Sequence, residues 1–84
     1  MIGKRNLKKL WSILRTDRSA SARDLTEAVN ETRWGIAMSL RILNLFGFVK
    51  REVVRDKQHG KKVYLYRKAQ DIPIGDVLSR VDER

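Results

Sequence analysis

The chain has 84 residues, enough for one small domain, and no cysteine, which excludes disulfides and thiolate metal sites. Nineteen Lys and Arg against ten Asp and Glu give a net charge of +9 and a pI near 10.5. That balance points to a polyanionic partner, nucleic acid before a membrane surface.

The cations are segregated. Residues 1–15 hold five basic groups and no acidic one; residues 48–68 hold eight (Lys50, Arg51, Arg55, Lys57, Lys61, Lys62, Arg67, Lys68) against Glu52 and Asp56. The remainder of the chain carries a slight negative excess. Two basic blocks are what a surface facing phosphates requires. The longest apolar runs are a few residues, and the N-terminal MIGKRNLKKL is amphipathic rather than a secretory leader. With cysteine absent as well, the expected location is the cytoplasm, in association with the nucleoid.

Residues 4 to 15 read as a first helix. Leu7, Leu10 and Leu14 share one face, flanked by Trp11 and Ile13, with Lys4, Arg5, Lys8, Lys9 and Arg15 elsewhere. Trp11 is expected in the core or at a subunit interface. The segment TDRSA then breaks the period.

Ser21 opens a second helix with a capping box, its hydroxyl accepting from the Asp24 N–H while Asp24 reaches back to the Ser21 N–H. Asp24 also suits the positive end of the helix dipole. Ala22, Leu25 and Val29 supply the apolar stripe, the helix ends near Asn30, and Asn30 and Glu31 make a tight turn.

The stretch Thr32 to Val49 is the centre of the sequence. Thr32 is a good N-cap, Ile36, Leu40 and Leu43 line one helix face, and Gly47 stands where a left-handed C-terminal cap needs glycine. Phe48 then packs back on Leu43. The other face carries Arg33, Trp34, Met38 and Arg41, a set suited to reading a partner. Two short helices joined by a tight turn, the second bearing arginines, make a helix-turn-helix pattern.

After Gly47 the period changes. FVKREVVR and KVYLYRK are rich in β-branched and aromatic residues, and the polar DKQHGK between them contains a glycine, so a β-hairpin with a basic tip is expected. Its inward face stays open, with Val49 and Val53 alongside Arg51 and Arg55, or Phe48 and Val54 alongside Lys50 and Glu52.

On SARDLTEAV, TRWGIAMSLRILNLFGFVKR and KVYLYRK, the chain resembles the winged helix-turn-helix family of DNA-binding regulators, the MarR-, ArsR- and TrmB-like proteins of prokaryotes and archaea. The ending formed by Leu40, Leu43, Gly47, Phe48 and Val49 is the most specific part, and the resemblance covers about residues 5–68. It implies an α+β fold: a three-helix core closed by a two- or three-stranded sheet, with Ala20 as a minimal first strand and a β-hairpin wing. Trp34 and Gly35 depart from the small hydroxylated residues usual in such recognition helices, and long dimerisation helices and an effector domain are lacking.

The single domain of residues 1–84 is expected to divide into a winged-helix core, 1–70, and a C-terminal helix, 71–84. Pro73 suits the first turn of that helix, and Asp71 and Asp76 complement its N-terminus. Ile74, Val77, Leu78 and Val81 form a stripe that either packs on the first helix or pairs with a second copy. The favoured expectation is a homodimer, with Trp11 joining that interface, since a two-fold dimer matches paired half-sites on DNA.

The family reading assigns the candidate site. Arg33 can hold O6 and N7 of a guanine, or a phosphate. Trp34 either packs on a thymine methyl or a sugar, or is buried beside the second helix. Gly35 permits close approach of the backbone to DNA, or close packing on a neighbouring helix. Met38, Ser39 and Arg41 follow one to two turns on, with Arg41 on phosphate, and Thr32 stands at the helix start. Ser21 and Arg23 are placed for backbone contacts. Lys57, His59, Lys61 and Lys62 form the wing tip. His59 has no partners at metal-ligand spacing, no nucleophile has a base in view, and no glycine-rich phosphate loop is present. The expected protein is therefore not an enzyme and uses no cofactor. It is expected to bind duplex DNA, with no membrane or small-molecule partner. The rival expectations are an architectural protein without sequence preference, and a winged helix serving protein or RNA contacts.

Overall fold

The computed structural model describes residues 4–82. In chain order they form α1 (Lys4–Ile13), β1 (Ala20–Ser21), α2 (Ala22–Val29), α3 (Arg33–Leu45), β2 (Val49–Arg55), β3 (Lys62–Lys68) and α4 (Ile74–Asp82). The architecture is α+β: four helices and one three-stranded antiparallel sheet in the order β1-β3-β2.

Each boundary has a local cause. α1 ends at Ile13, earlier than its periodicity suggests, because the Arg15 carbonyl is taken by the Lys68 N–H at 2.7 Å and the backbone there serves the sheet. Ser21 does two jobs. It pairs with Leu65 as the end of β1 and caps α2, its hydroxyl accepting from the Asp24 N–H at 3.1 Å. Asn30 closes α2 in the left-handed conformation, φ 53°, which asparagine tolerates better than most residues.

Thr32 caps α3 by accepting the Gly35 N–H at 3.1 Å. At the other end Gly47, φ 79°, donates to the Asn44 carbonyl at 3.0 Å and Phe48 donates to the Leu43 carbonyl at 2.9 Å. These two bonds form a Schellman motif, and Phe48 and Leu43 are both buried in the same core. α4 begins later than expected. The Pro73 carbonyl accepts from Asp76 and Val77, so Pro73 precedes the first helical residue, and Asp71 lies outside the helix on the Lys68 ammonium at 3.2 Å. Residues 83 and 84, placed in that helix from sequence, lie outside the described residues.

The core draws on every layer: Leu7, Leu10 and Trp11 from α1 with Leu14 just after it, Leu25 and Val29 from α2, Ile36, Leu40 and Leu43 from α3, then Phe48, Val49 and Val77. Each such side chain contributes roughly 1.5–3 kcal/mol by leaving water. Trp11 anchors α4: its indole N–H donates to the Ile72 carbonyl at 2.8 Å, its ring meets Phe48 edge-on, and the buried Lys68 ammonium lies 4.6 Å from its centroid.

That arrangement places two of the expected dimer residues, Trp11 and Val77, inside the chain. Val77 is 0% and Trp11 3% exposed within one chain, so neither has surface to give a second copy. Ile74, Leu78 and Val81 pack partly buried against the same core. The stripe thus packs within the chain, on a core that α1 shares with α2 and α3.

The hairpin register is Val49↔Lys68 through Arg51↔Tyr66 and Val53↔Tyr64 to Arg55↔Lys62. Val49, Arg51, Val53 and Arg55 therefore share a face with Lys62, Tyr64, Tyr66 and Lys68. That face is buried where it meets the helices, at Val49 and Lys68, and exposed toward the tip, at Val53 and Tyr64.

Candidate nucleic-acid interface

The outer face of α3 runs through Arg33, Trp34, Ala37, Arg41 and Leu45, all exposed, with Met38 half-buried at its edge. Trp34 is 73% exposed, so it is not packed beside α2. Leu45 is 66% exposed on the same face. Two large apolar groups in water along one helix mark a contact surface better than either alone.

Two expected members of this face are absent from it. Ser39 is 1% exposed and belongs to the core side of α3, since it sits three residues from Ile36 and four from Leu43. It cannot reach a ligand on the outer face. Gly35 is buried against α1, and a Cβ built there would stand 2.6 Å from Asn6 Nδ2 and 3.0 Å from Thr32 Oγ1. The space beside this glycine is taken by the Asn6 side chain and the Thr32 hydroxyl, which favours packing over approach of the backbone to DNA.

Beside the start of α3 lies a cleft lined by Arg23, Thr26, Glu27 and Arg33. Arg23 is exposed and 3.5 Å from Glu27, an i,i+4 pair worth little in water. Ser21 is half-buried with its hydroxyl engaged on Asp24, and Thr32 is exposed with its hydroxyl engaged on Gly35. Both are first of all helix caps.

The hairpin tip is organised by a residue that the sequence reading passed over. The Asp56 N–H donates to the Lys61 carbonyl at 2.8 Å and its carbonyl accepts from Gly60 at 2.7 Å. Its carboxylate accepts the Gln58 N–H at 2.9 Å and meets His59 Nδ1 at 2.9 Å. The hydrogen bond from His59, with that from Gln58, holds the Asp56 carboxyl below the usual carboxylate range. An aspartate two residues before a free N–H, with glycine following, is the signal of an Asx turn. Gly60, φ 66°, completes the turn, and Lys57, His59, Lys61 and Lys62 stand exposed around it. His59 thus does have a carboxylate partner. Among the described residues there is still no group of three potential metal ligands.

Sequence reasoning also missed Arg51 and its partner. Arg51 projects from β2 on the face turned toward α3, its guanidinium carbon 4.8 Å from the Tyr64 ring centroid. Together with Tyr66 it closes a groove whose α3 wall is Ala37, Arg41, Asn44 and Leu45. The alternation of VKREVVR carried this signal once a register was known.

The N-terminal basic block is partly neutralised. Glu31, in the turn before α3, accepts Lys9 Nζ at 2.6 Å and lies 3.5 Å from Arg5. The bond from Lys9, aided by the charges of Lys9 and Arg5, holds its carboxyl low against the opposing effect of desolvation. The hairpin, where only Glu52 and Asp56 are acidic, is the stronger positive element. No helix of the described residues is long and apolar enough to cross a membrane. No family model matches the chain, and no curated protein matches it.

Proposed function

We propose that this chain is a small winged helix-turn-helix protein that binds double-stranded DNA as a sequence-specific transcriptional regulator, without catalysis. In this reading α3 is the recognition helix, laid in the major groove, and the β2–β3 hairpin is the wing, on the minor groove or the adjoining backbone. One observation carries it: the exposed face of α3 and the cation-rich hairpin adjoin across a shared groove in which no lining residue is acidic.

The roles follow from chemistry and position. Arg33, in the first turn, can hold guanine O6 and N7, worth roughly 1–3 kcal/mol of discrimination. Trp34 offers an apolar contact to a thymine methyl or a sugar. Arg41 lies about two turns further along and reaches phosphate, as do Lys57, Lys61 and Lys62 from the wing.

A second reading keeps duplex binding and removes sequence preference. The exposure of Trp34 favours it, because an unpartnered aromatic can wedge between base steps in architectural proteins. Selection from a random duplex pool separates the two. A regulator enriches a motif and holds it about 10³-fold or more above random DNA, and an architectural protein enriches none. Failure to retain any duplex would refute both.

A further inference from the structure

We infer that the groove between α3 and the sheet is a phosphate notch, holding one phosphodiester of the bound duplex on Arg51, with Tyr64 as the residue that positions Arg51. The inference rests on the duplex-binding reading and extends it to residues with no role so far.

The notch is walled by Ala37, Arg41, Asn44 and Leu45 from α3 and by Arg51 and Tyr66 from the sheet. Its polar groups are two guanidiniums, a carboxamide and a phenol. All four can donate hydrogen bonds, and none of the lining residues carries a negative charge. The complementary ligand is an anion with several acceptor oxygens, and a guanidinium fork matches phosphate in shape as well as charge.

The sheet register fixes the geometry. Arg51 stands opposite Tyr66, and Tyr64 lies one pair further toward the tip on the same face, within diagonal reach of Arg51. The 4.8 Å cation–π contact between Arg51 and the Tyr64 ring restrains an otherwise exposed side chain in the notch before any ligand arrives. That restraint reduces the rotamer entropy lost on binding. Glu52 and Lys50, the neighbours of Arg51 in sequence, lie on the other sheet face.

Position selects the occupant. Arg41 lies on the same helix face as Arg33 and Trp34, so a helix seated in the major groove brings the notch to the edge of that groove. The wing continues on the far side of the same edge. A sugar–phosphate strand must cross between them, and the notch is where it crosses.

The test is duplex affinity, measured by fluorescence anisotropy over a range of salt, for the full chain and four variants, with thermal melting to confirm folding. Arg51→Ala should weaken binding about tenfold and make the slope of log affinity against log salt shallower by about one. Lys50→Ala, on the opposite face, should change neither. Tyr64→Leu should weaken binding several-fold with the salt slope unchanged, because the cation remains but is no longer held, and Tyr64→Phe should restore wild-type affinity. An Arg51→Ala variant with unchanged slope, or one indistinguishable from Lys50→Ala, would overturn the notch while leaving duplex binding intact. A wild-type chain that binds no duplex would overturn the notch and the duplex reading together.

Discussion

Gly35 offers a quantitative test of how α3 is seated. Gly35 lies in the first turn of α3, and alanine is favoured over glycine by about 1 kcal/mol in a helix interior, which is an upper bound here. Here the added Cβ would stand 2.6 Å from Asn6 Nδ2 and 3.0 Å from the Thr32 hydroxyl that caps the helix. The first overlap is with the end of the half-buried Asn6 side chain, which must turn aside at a cost of up to about 1 kcal/mol. The two effects nearly cancel, so Gly35→Ala alone should change stability by less than about 1 kcal/mol. In an Asn6→Ala background the larger overlap is gone and the helix-propensity gain emerges. A double-mutant cycle by urea denaturation should therefore give a coupling of about 1 kcal/mol between positions 6 and 35, with Gly35→Ala stabilising only in the Asn6→Ala chain. Strict additivity would refute the packing explanation. The same variant should retain duplex affinity within a few-fold. A large loss of affinity in a chain of unchanged stability would return Gly35 to the DNA surface.

Other consequences are as direct. Val77→Asp buries an unpaired carboxylate and should unfold the chain or cost more than about 3 kcal/mol, read by thermal melting with analytical ultracentrifugation. A well-folded monomer from a dimeric parent would instead make α4 an interface. Glu31, depressed by Lys9, contributes stability that is present above its unfolded pKa and is lost as pH falls through the lower folded one. Glu31→Gln should abolish that acid-side dependence in melts run from neutral pH downward; an unchanged pH profile would remove the Lys9 pair from the account. The same sign holds at Asp56, so Asp56→Asn should speed amide exchange at Gln58 and Gly60, most visibly at neutral pH. Equal exchange in both chains would show that the tip is ordered without that carboxylate.

The sequence announced the caps and the helices because their causes are local. Ser21, Thr32 and Gly47 each act within six residues of themselves, and the stripe Ile36, Leu40, Leu43 needs only a helical period. What escaped depended on distant neighbours. The early end of α1 follows from Lys68 claiming the Arg15 carbonyl, a pairing across more than fifty positions. The stripe of α4 fits a partner's helix and the chain's own α1 equally well, and only the position of Trp11 and Ile72 decides between them. Ser39 looked exposed because its hydroxyl is polar, yet its angular position lies among the core residues. Arg51 was hidden by an undecided strand face: a one-residue shift would have exchanged it with Lys50. The candidate interface was thus legible as a charge distribution, and its inner geometry was not.

The most direct test of the central claim is the salt dependence of duplex binding by the unmodified chain. Arg33, Arg41, Arg51, Lys57, Lys61 and Lys62 are all exposed along α3 and the hairpin. If these six cations meet phosphates, log affinity should fall against log salt with a slope of roughly −5. A slope shallower than about −2 would contradict duplex binding through this surface.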